Sequence, residues 1–80
     1  MIEKKIFYIG IREFTSKKDG KKYYQVDYVR MDGVLKPKTD FISPLEFMEI
    51  DKKMKGKNLT ECTGIFNIDE FDHLYLSAIK

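Results

Sequence analysis

The sequence predicts a small, mainly β domain with one helix, and three observations lead to this fold class. Five segments alternate apolar and polar residues with a period of two, which is the spacing of strands. One short segment, between the third and fourth strands, carries the residues that begin and end a helix. All six elements share only 80 residues. The order β-β-β-α-β-β in so short a chain is typical of a five-stranded Greek-key barrel of the oligonucleotide/oligosaccharide-binding (OB) type. We therefore assign residues 1–80 to a single OB-like domain.

The first predicted strand covers residues 4–15. Its alternation places Phe7 and Ile11 on one side of the strand and Arg12 on the other. Gly10 lies in the middle of this run, where a glycine marks a bulge or a sharp bend. We expect Gly10 to be the bend that lets one strand pair with both halves of the barrel.

The second and third strands are bounded by turns. Two Asp-Gly pairs, ending at Gly20 and Gly33, are strong hairpin indicators because such turns need a residue with positive φ. They delimit a second strand over residues 23–31 and a third over 34–42. Pro37 has no N–H to donate to a ladder, so the third strand is expected at an edge or with a bulge.

The second strand has a predicted inner and outer face. The side chains expected in the core are Tyr24, Val26 and Tyr28. Tyr23 and Gln25 then face outward, and a bulge near Tyr28 would place Arg30 outside as well. Lys36 and Lys38 share one face of the third strand and are expected to extend the basic surface.

The helix has the clearest local pattern in the chain. Ser43 is placed as the N-cap, Pro44 as the first helical residue and Glu46 as the partner in a capping box. Gly56 follows three lysines and provides the end. The apolar residues expected to face the barrel are Leu45, Phe47, Met48, Ile50 and Met54.

The last two strands are predicted at residues 58–68 and 73–79, with Gly64 as a second bend. The residues expected to point inward from the fifth strand are Leu74, Leu76 and Ala78, with Tyr75 and Ser77 outward. The turn between the strands, residues 69–72, carries Phe71 among acids. A large apolar side chain there either folds back onto the barrel or serves a partner or ligand.

Composition describes a folded, soluble chain with uneven charge. The net charge is +2, whereas residues 17–38 carry seven basic side chains and three acidic ones. Cys62 is the only cysteine, which excludes an intramolecular disulfide and indicates a reducing compartment. There is no secretory leader and no apolar run of membrane-spanning length, so we expect a cytoplasmic protein without membrane contact.

Catalysis is not expected. His73 is the only histidine and lies beside a turn, while Cys62 is expected to be a small core residue. The carboxylates lack metal-ligand spacing, and there is no glycine-rich phosphate loop. We therefore predict a protein that is not an enzyme, with no cofactor, no metal and no small-molecule substrate.

Binding of single-stranded nucleic acid has better support. The first hairpin carries four lysines and leads into Tyr23. Lysines attract phosphates at long range, and an aromatic ring on the adjoining strand offers a base a stacking surface. A soluble hairpin tip without a ligand would have the same lysines, so this motif alone leaves both interpretations open.

Two segments resemble the small single-stranded-DNA-binding, helix-destabilising proteins of filamentous phages. One is Gly20-Lys21-Lys22-Tyr23, and the other runs from Phe66 through Phe71 to Leu74, where the family has an aromatic at the tip of a late hairpin. The resemblance implies an OB-fold protein of a phage or mobile element. Such a protein would coat single strands as a homodimer during DNA replication, with Tyr23 and Phe71 stacking on bases.

The resulting hypothesis is a non-catalytic, cytoplasmic single-stranded-DNA-binding protein that forms a homodimer, with RNA as another possible ligand. The predicted nucleic-acid-binding residues are Lys17, Lys18, Lys21, Lys22, Tyr23, Gln25, Arg30, Lys36, Lys38 and Phe71. The alternative is a small protein-interaction module, a regulator or inhibitor, that uses the barrel edge and Phe71. The acidic late turn and the small net charge favour this alternative, and the basic first hairpin disfavours it.

Overall fold

The computed structural model describes residues 2–33 and 35–80, and its elements follow the predicted order. They are β1 (Ile2–Thr15), β2 (Lys22–Arg30), β3 (Pro37–Ile42), α1 (Pro44–Met54), β4 (Thr60–Ile68) and β5 (Leu74–Ile79). The predicted start of the third strand at Val34 lies outside the described residues. Within those residues, β3 begins at Pro37, because a proline without an N–H suits the first position of a strand.

The five strands form one antiparallel sheet in the order β3-β2-β1-β4-β5. The long β1 is the central strand, and it pairs with β4 through its first half and with β2 along most of its length. The sheet curls until its two edge strands, β3 and β5, touch. The result is a half-barrel, and the expectation that the proline-containing strand lies at an edge is confirmed.

The expected bend in β1 is confirmed at Gly10. Tyr8 pairs with Tyr28, but the next pair along β2 joins Gly10 to Asp27, so one residue of β1 is skipped as a bulge. The bulge exchanges the two faces of the strand. Side chains with even numbers point inward up to Tyr8, whereas Ile11 points inward beyond it, opposite Val26.

The bulge predicted near Tyr28 is wrong. β2 has no extra residue near Tyr28: its register against β3 is continuous, the shift against β1 comes from the residue skipped in β1, and Arg30 lies opposite the buried Ile6. Arg30 is thus on the inner side of β2, near the end of the half-barrel, where its guanidinium reaches Asp32. The bulge is in the partner strand β1, between Tyr8 and Gly10, and the alternation of residues within β2 does not reveal it.

Gly64 is paired in register with Lys4 and Ile79, so the bend expected at this glycine stays a prediction. A second register shift lies between Ile65 and Phe66 in β4. This shift corrects the faces predicted for β5, because Ser77 is the extra residue there and, although predicted to face outward, is buried. Leu76 and Ile79 are both buried, with Ser77 between them. Ala78, predicted to face inward, is only half-buried.

The helix confirms its predicted ends. Ser43 Oγ accepts from the backbone N–H of Glu46 at 3.1 Å, and Glu46 Oε1 accepts from the N–H of Ser43 at 2.8 Å, which completes the capping box. After α1, Gly56 has φ +75°. The side chains that face the barrel are Phe47, Ile50 and Met54.

Two residues of the predicted apolar face of α1 point elsewhere. Leu45 and Met48 are each 66% exposed. They are three residues apart and so form their own stripe on the helix, beside the stripe that Phe47, Ile50 and Met54 turn toward the sheet. All five residues are apolar, so residue type alone did not show which of them face the sheet.

The core fills the curl of the sheet and is closed by α1. Its buried side chains are Ile6, Tyr8, Val26, Tyr28, Ile42, Ile50, Met54, Phe66, Leu76 and Ile79. Cys62 is half-buried and packs against this core, and burial raises the pKa of its thiol. Every buried side-chain nitrogen or oxygen of residues 2–33 and 35–80 has a hydrogen-bond partner.

One carboxylate joins the two edges of the curled sheet. Asp40 in β3 accepts from the hydroxyl of Tyr28 in β2 at 2.5 Å and from the backbone N–H of Leu76 in β5 at 2.9 Å. Burial, and then this hydrogen bond to Asp40, raises the pKa of Tyr28 far above its usual range. The Asp40 side chain thus accepts a hydrogen bond from β5 across the gap between the two edge strands, β3 and β5.

We expect Asp40→Ala to lower the free energy of unfolding by about 2–4 kcal/mol, because it leaves the Tyr28 hydroxyl and the Leu76 N–H without their acceptor. Urea denaturation followed by circular dichroism measures this change. Asp51→Ala, at an exposed position of α1, is the control and should stay within about 0.5 kcal/mol of the unchanged protein. Equal effects of the two variants would contradict the role assigned to Asp40.

We also expect Gly64→Ala to destabilise the protein by about 1–3 kcal/mol through overpacking. A Cβ at Gly64 would lie 2.6 Å from Leu76 Cδ1 and within 3.2 Å of Phe66 and Ile6 side-chain atoms. Gly33→Ala is the matched control, since a Cβ there meets nothing within 4 Å. Thermal unfolding of both variants tests the difference, and an unchanged midpoint for Gly64→Ala would show that the core relaxes freely.

Candidate nucleic-acid interface

The strand registers bring aromatic and polar side chains together on the convex side of β1, β2 and β3. Gln25 lies opposite Arg12 on one side and Phe41 on the other, and Tyr23 lies opposite Phe14. Residues directly opposite one another in antiparallel strands share a face. We call the surface formed by Arg12, Phe14, Tyr23, Gln25, Asp27, Thr39 and Phe41 the outer face.

Three rings cross the outer face from strand to strand. Phe14 and Tyr23 are stacked with their centroids 5.6 Å apart and their planes inclined by 25°. Phe41 meets Tyr23 edge-on at 6.0 Å and 70°. Phe14 is 42% exposed and Phe41 61% exposed, while Tyr23 between them is half-buried. We call these three residues the ring platform; its freest surfaces belong to the two phenylalanines.

The hairpin between β1 and β2 holds the lysines beside this platform. Gly20 has φ +71°, which confirms the turn expected from the Asp-Gly pair. Asp19 fixes the loop by accepting from the backbone N–H of Lys21 at 3.0 Å and from the Tyr23 hydroxyl at 2.9 Å. These bonds lower the pKa of Asp19, and the bond to Asp19 raises the pKa of Tyr23. The exposed lysines of this basic hairpin are Lys17, Lys18, Lys21 and Lys22.

A polar cluster borders the ring platform on the same face. Arg12 donates to Asp27 twice, from Nε at 2.8 Å and from Nη2 at 3.0 Å. Thr39 donates its hydroxyl to the same carboxylate at 2.6 Å. The Asp27 side chain is only 19% exposed, whereas that of Arg12 is 58% exposed. The guanidinium is therefore both oriented by the protein and open to solvent.

The other predicted basic residues lie toward the opposite end of β2. Arg30, Lys36 and Lys38 line an open depression of about 460 Å³ together with Asp32. Asp32 accepts from Arg30 twice at 2.9 Å and from Lys4 at 2.8 Å. The bonds from Arg30, and then from Lys4, hold the pKa of Asp32 far below its usual range.

The expectation that Lys36 and Lys38 extend the surface around Tyr23 is wrong. Lys36 precedes β3, and Lys38 lies opposite Tyr28, whose side of β2 faces the core. Tyr23 and Lys38 thus stand on opposite faces of the sheet. The cause is alternation itself, because Thr39 and Phe41 hold the outer positions of β3.

Phe71 is the remaining predicted contact, and it does not fold back onto the barrel. It is 71% exposed at the tip of the β4–β5 hairpin, and Ile68 beside it is 53% exposed. Asp69 Oδ1 accepts from the backbone N–H groups of His73 and Phe71, each at 2.9 Å, and these bonds lower the pKa of Asp69. Since Ile2 pairs with Phe66 in β4, this hairpin lies beyond the beginning of β1, whereas the ring platform lies near its end.

The structure contains two platform residues that the sequence analysis missed, Phe14 and Phe41. Phe14 was accessible from the sequence, because a hairpin closed around Gly20 pairs it with Tyr23. Phe41 was not, since the alternation of Thr39 and Phe41 with Asp40 and Ile42 has no clear polar side. The alternation of β1 predicted that Arg12 lies on the other face of the strand from Phe7 and Ile11. Its hydrogen-bond partner Asp27 is in β2, and only the register between the two strands brings them together.

Three further findings concern features outside this site. Across residues 2–33 and 35–80, no three His, Cys, Asp or Glu side chains gather as metal ligands would. In the same part of the chain, no helix has both the length and the apolar character that crossing a bilayer requires. Comparison with family models, with curated proteins and with solved structures finds no match to this chain.

Proposed function

We propose that this protein is a non-catalytic binding protein for single-stranded nucleic acid, DNA in the first place, and that the ligand lies across the outer face. The observation that carries the proposal is the ring platform. Three aromatic side chains from three strands lie side by side, and two of them, Phe14 and Phe41, are exposed to solvent. Apolar rings collected on a sheet surface, rather than in a core, indicate a surface made for contact.

Base stacking is the chemistry that suits such a platform. Every base has a flat π-face, and each base stacked on an aromatic side chain contributes roughly 1–3 kcal/mol with little dependence on sequence. Phe14 and Phe41 lie on the two sides of Tyr23, so successive bases of one strand have separate rings to stack on. Tyr23, predicted from the sequence to stack on bases, serves in this proposal mainly to hold the two phenylalanines in place.

The basic hairpin supplies the phosphate contacts in this proposal. Its four lysines are exposed, and Asp19, the acid within it, is engaged by Lys21 N–H and by Tyr23. Ammonium groups attract the backbone of a single strand, and their contacts release counterions, which makes binding depend on salt. The depression around Arg30 lies apart from this site, and Arg30 is already paired with Asp32, which also pairs with Lys4.

The topology supports the OB type as the finer fold assignment. A Greek-key barrel of that type has five strands and carries its oligonucleotide on a sheet face next to the flanking loops. The order β3-β2-β1-β4-β5, with α1 after β3 and the two edge strands in contact, agrees with this arrangement. Homodimer formation also stays part of the proposal, since a half-barrel of 80 residues gains stability by covering its edges.

A second candidate function is favoured by one observation, the exposed pair Phe71 and Ile68 in an acidic hairpin. The carboxylates of that hairpin would repel a phosphate backbone, whereas an aromatic anchor surrounded by charges suits a protein partner. In this case the protein is an interaction module, and the β4–β5 hairpin is its contact surface.

For the first function, we expect Phe41→Ala to weaken binding of fluorescein-labelled oligo-dT by about fivefold to 100-fold, the loss of one stacked base. Fluorescence anisotropy at low salt measures it, and oligo-U in parallel reports on RNA. Met48→Ala is the control, because Met48 is as exposed as Phe41 but lies on α1.

Binding should also weaken steeply with salt. The variant with both Lys21→Ala and Lys22→Ala should reduce the slope of log affinity against log salt concentration by about 0.7 for each lost phosphate contact. Absence of binding at low salt would refute the proposal.

For the second function, we expect a specific protein to be retained from cells by the immobilised chain and lost with Phe71→Ala. The physical reason is the loss of an anchor that is 71% exposed and held by a fixed turn. Phe41→Ala should leave that retention unchanged, and circular dichroism should show both variants folded. Retention that depends on Phe41 instead of Phe71 would place the contact surface on the outer face.

A further inference from the structure

Resting on the proposed function, we propose that Arg12 selects the base that lies next to the ring platform. The selected bases are those with two adjacent hydrogen-bond acceptors on one edge, guanine and cytosine. Arg12 is thus a specificity-determining residue on a surface that otherwise binds single strands by stacking and charge.

The argument begins with the donors that Arg12 keeps free. A guanidinium has five N–H donors in a rigid, planar fork. Asp27 receives two of them, from Nε and Nη2. Three remain, two on Nη1 and one on Nη2, and they include a parallel pair along the far edge of the group. Asp27 is the single hydrogen-bond partner of this side chain among residues 2–33 and 35–80.

The orientation of this free edge is set by the protein in advance. The Asp27 carboxylate is held in turn by the Thr39 hydroxyl at 2.6 Å and is mostly buried. Two parallel bonds to a fixed carboxylate restrict the guanidinium to one plane. A free arginine bound only to phosphate would not need such support. A residue that reads a base edge does need it, because bidentate recognition depends on direction.

The position of Arg12 brings it next to a stacked base. It lies two residues before Phe14 on the same face of β1, a spacing of about 7 Å along the strand. It also lies opposite Gln25, which in turn lies opposite Phe41. A base stacked on Phe14 would therefore have one edge beside Arg12, and Gln25 lies between Arg12 and Phe41 in the same cross-strand row.

The free donors decide which bases fit. Guanine presents O6 and N7 as neighbouring acceptors, and an arginine fork bound to this pair is the most common specific contact to a base. In a single strand, cytosine offers O2 and N3 in the same way. Thymine has N3–H between its two carbonyl oxygens, and adenine has its N6 amino group beside both N1 and N7, so on these edges a second N–H of the fork would face another N–H. Adenine N3 has no second acceptor next to it. The Asp27 carboxylate is already occupied and does not compensate for that mismatch.

The test uses dT oligonucleotides of one length in which the central nucleotide is dT, dA, dC, dG or 7-deaza-dG. Anisotropy titrations should show dG or dC binding at least about fivefold more tightly than dT and dA. If guanine is the base that is read, 7-deaza-dG loses the advantage because it lacks N7. If cytosine is read, dC is preferred and 7-deaza-dG behaves like dG.

Variants separate base reading from simple charge. Arg12→Lys keeps the charge but not the fork, and it should bring the ratio of affinities for the preferred base and dT close to one. Asp27→Asn, which removes the orienting carboxylate, should lower the same ratio while Arg12 is intact. Arg30→Lys is the matched control, because Arg30 makes a similar double contact with Asp32 away from the outer face, and its ratio should not change.

Three results would overturn the inference, and each has a different meaning. Equal affinity for all five oligonucleotides, with Phe41→Ala still weakening each of them, would refute base reading by Arg12 and leave the proposed function intact. Binding of none of them at low salt would refute both. A base preference that survives in Arg12→Lys would also refute the role of Arg12.

Discussion

The bulge between Tyr8 and Gly10 is the constraint on which the rest of the structure depends. Without it, the side chains that follow Tyr8 with even numbers would continue to point into the core, and Arg12 and Phe14 would be buried. The skipped residue exchanges the faces of β1, so that Ile11 enters the core and Arg12 and Phe14 reach the outer face. One extra residue in one strand therefore creates both the ring platform and its polar border.

The same bulge allows β1 to be shared between two halves of a curled sheet. Its first half pairs with β4, and β2 follows it across the bend to the basic hairpin. Curling brings β3 to β5, where Asp40 joins the Tyr28 hydroxyl to the Leu76 backbone. A small domain has few other ways to protect the edges of its sheet. The inner face thus provides stability, and the outer face is left free to carry function.

The basic side chains of the surface differ in whether a carboxylate pairs with them. Asp32 pairs with Lys4 and Arg30, and Asp27 pairs with Arg12. The two arginine side chains, which have more N–H donors than lysine, are therefore fixed in direction. The lysines of the basic hairpin are exposed beside the platform. A net charge of +2 therefore includes both exposed lysines and arginines that carboxylates hold in fixed positions.

The sequence by itself determined the elements whose causes are local. Ser43 with Glu46 begins the helix, Gly20 turns the first hairpin, and Gly10 marks the bulge of β1, because each acts on backbone atoms a few residues away. Only the tertiary structure decided which side chains meet. The pairing of Arg12 with Asp27, the addition of Phe41 to the platform and the separation of Lys38 from Tyr23 all follow from register across strands. A shift of one residue moves every side chain to the other face, and alternation within one strand does not record its partner's bulge.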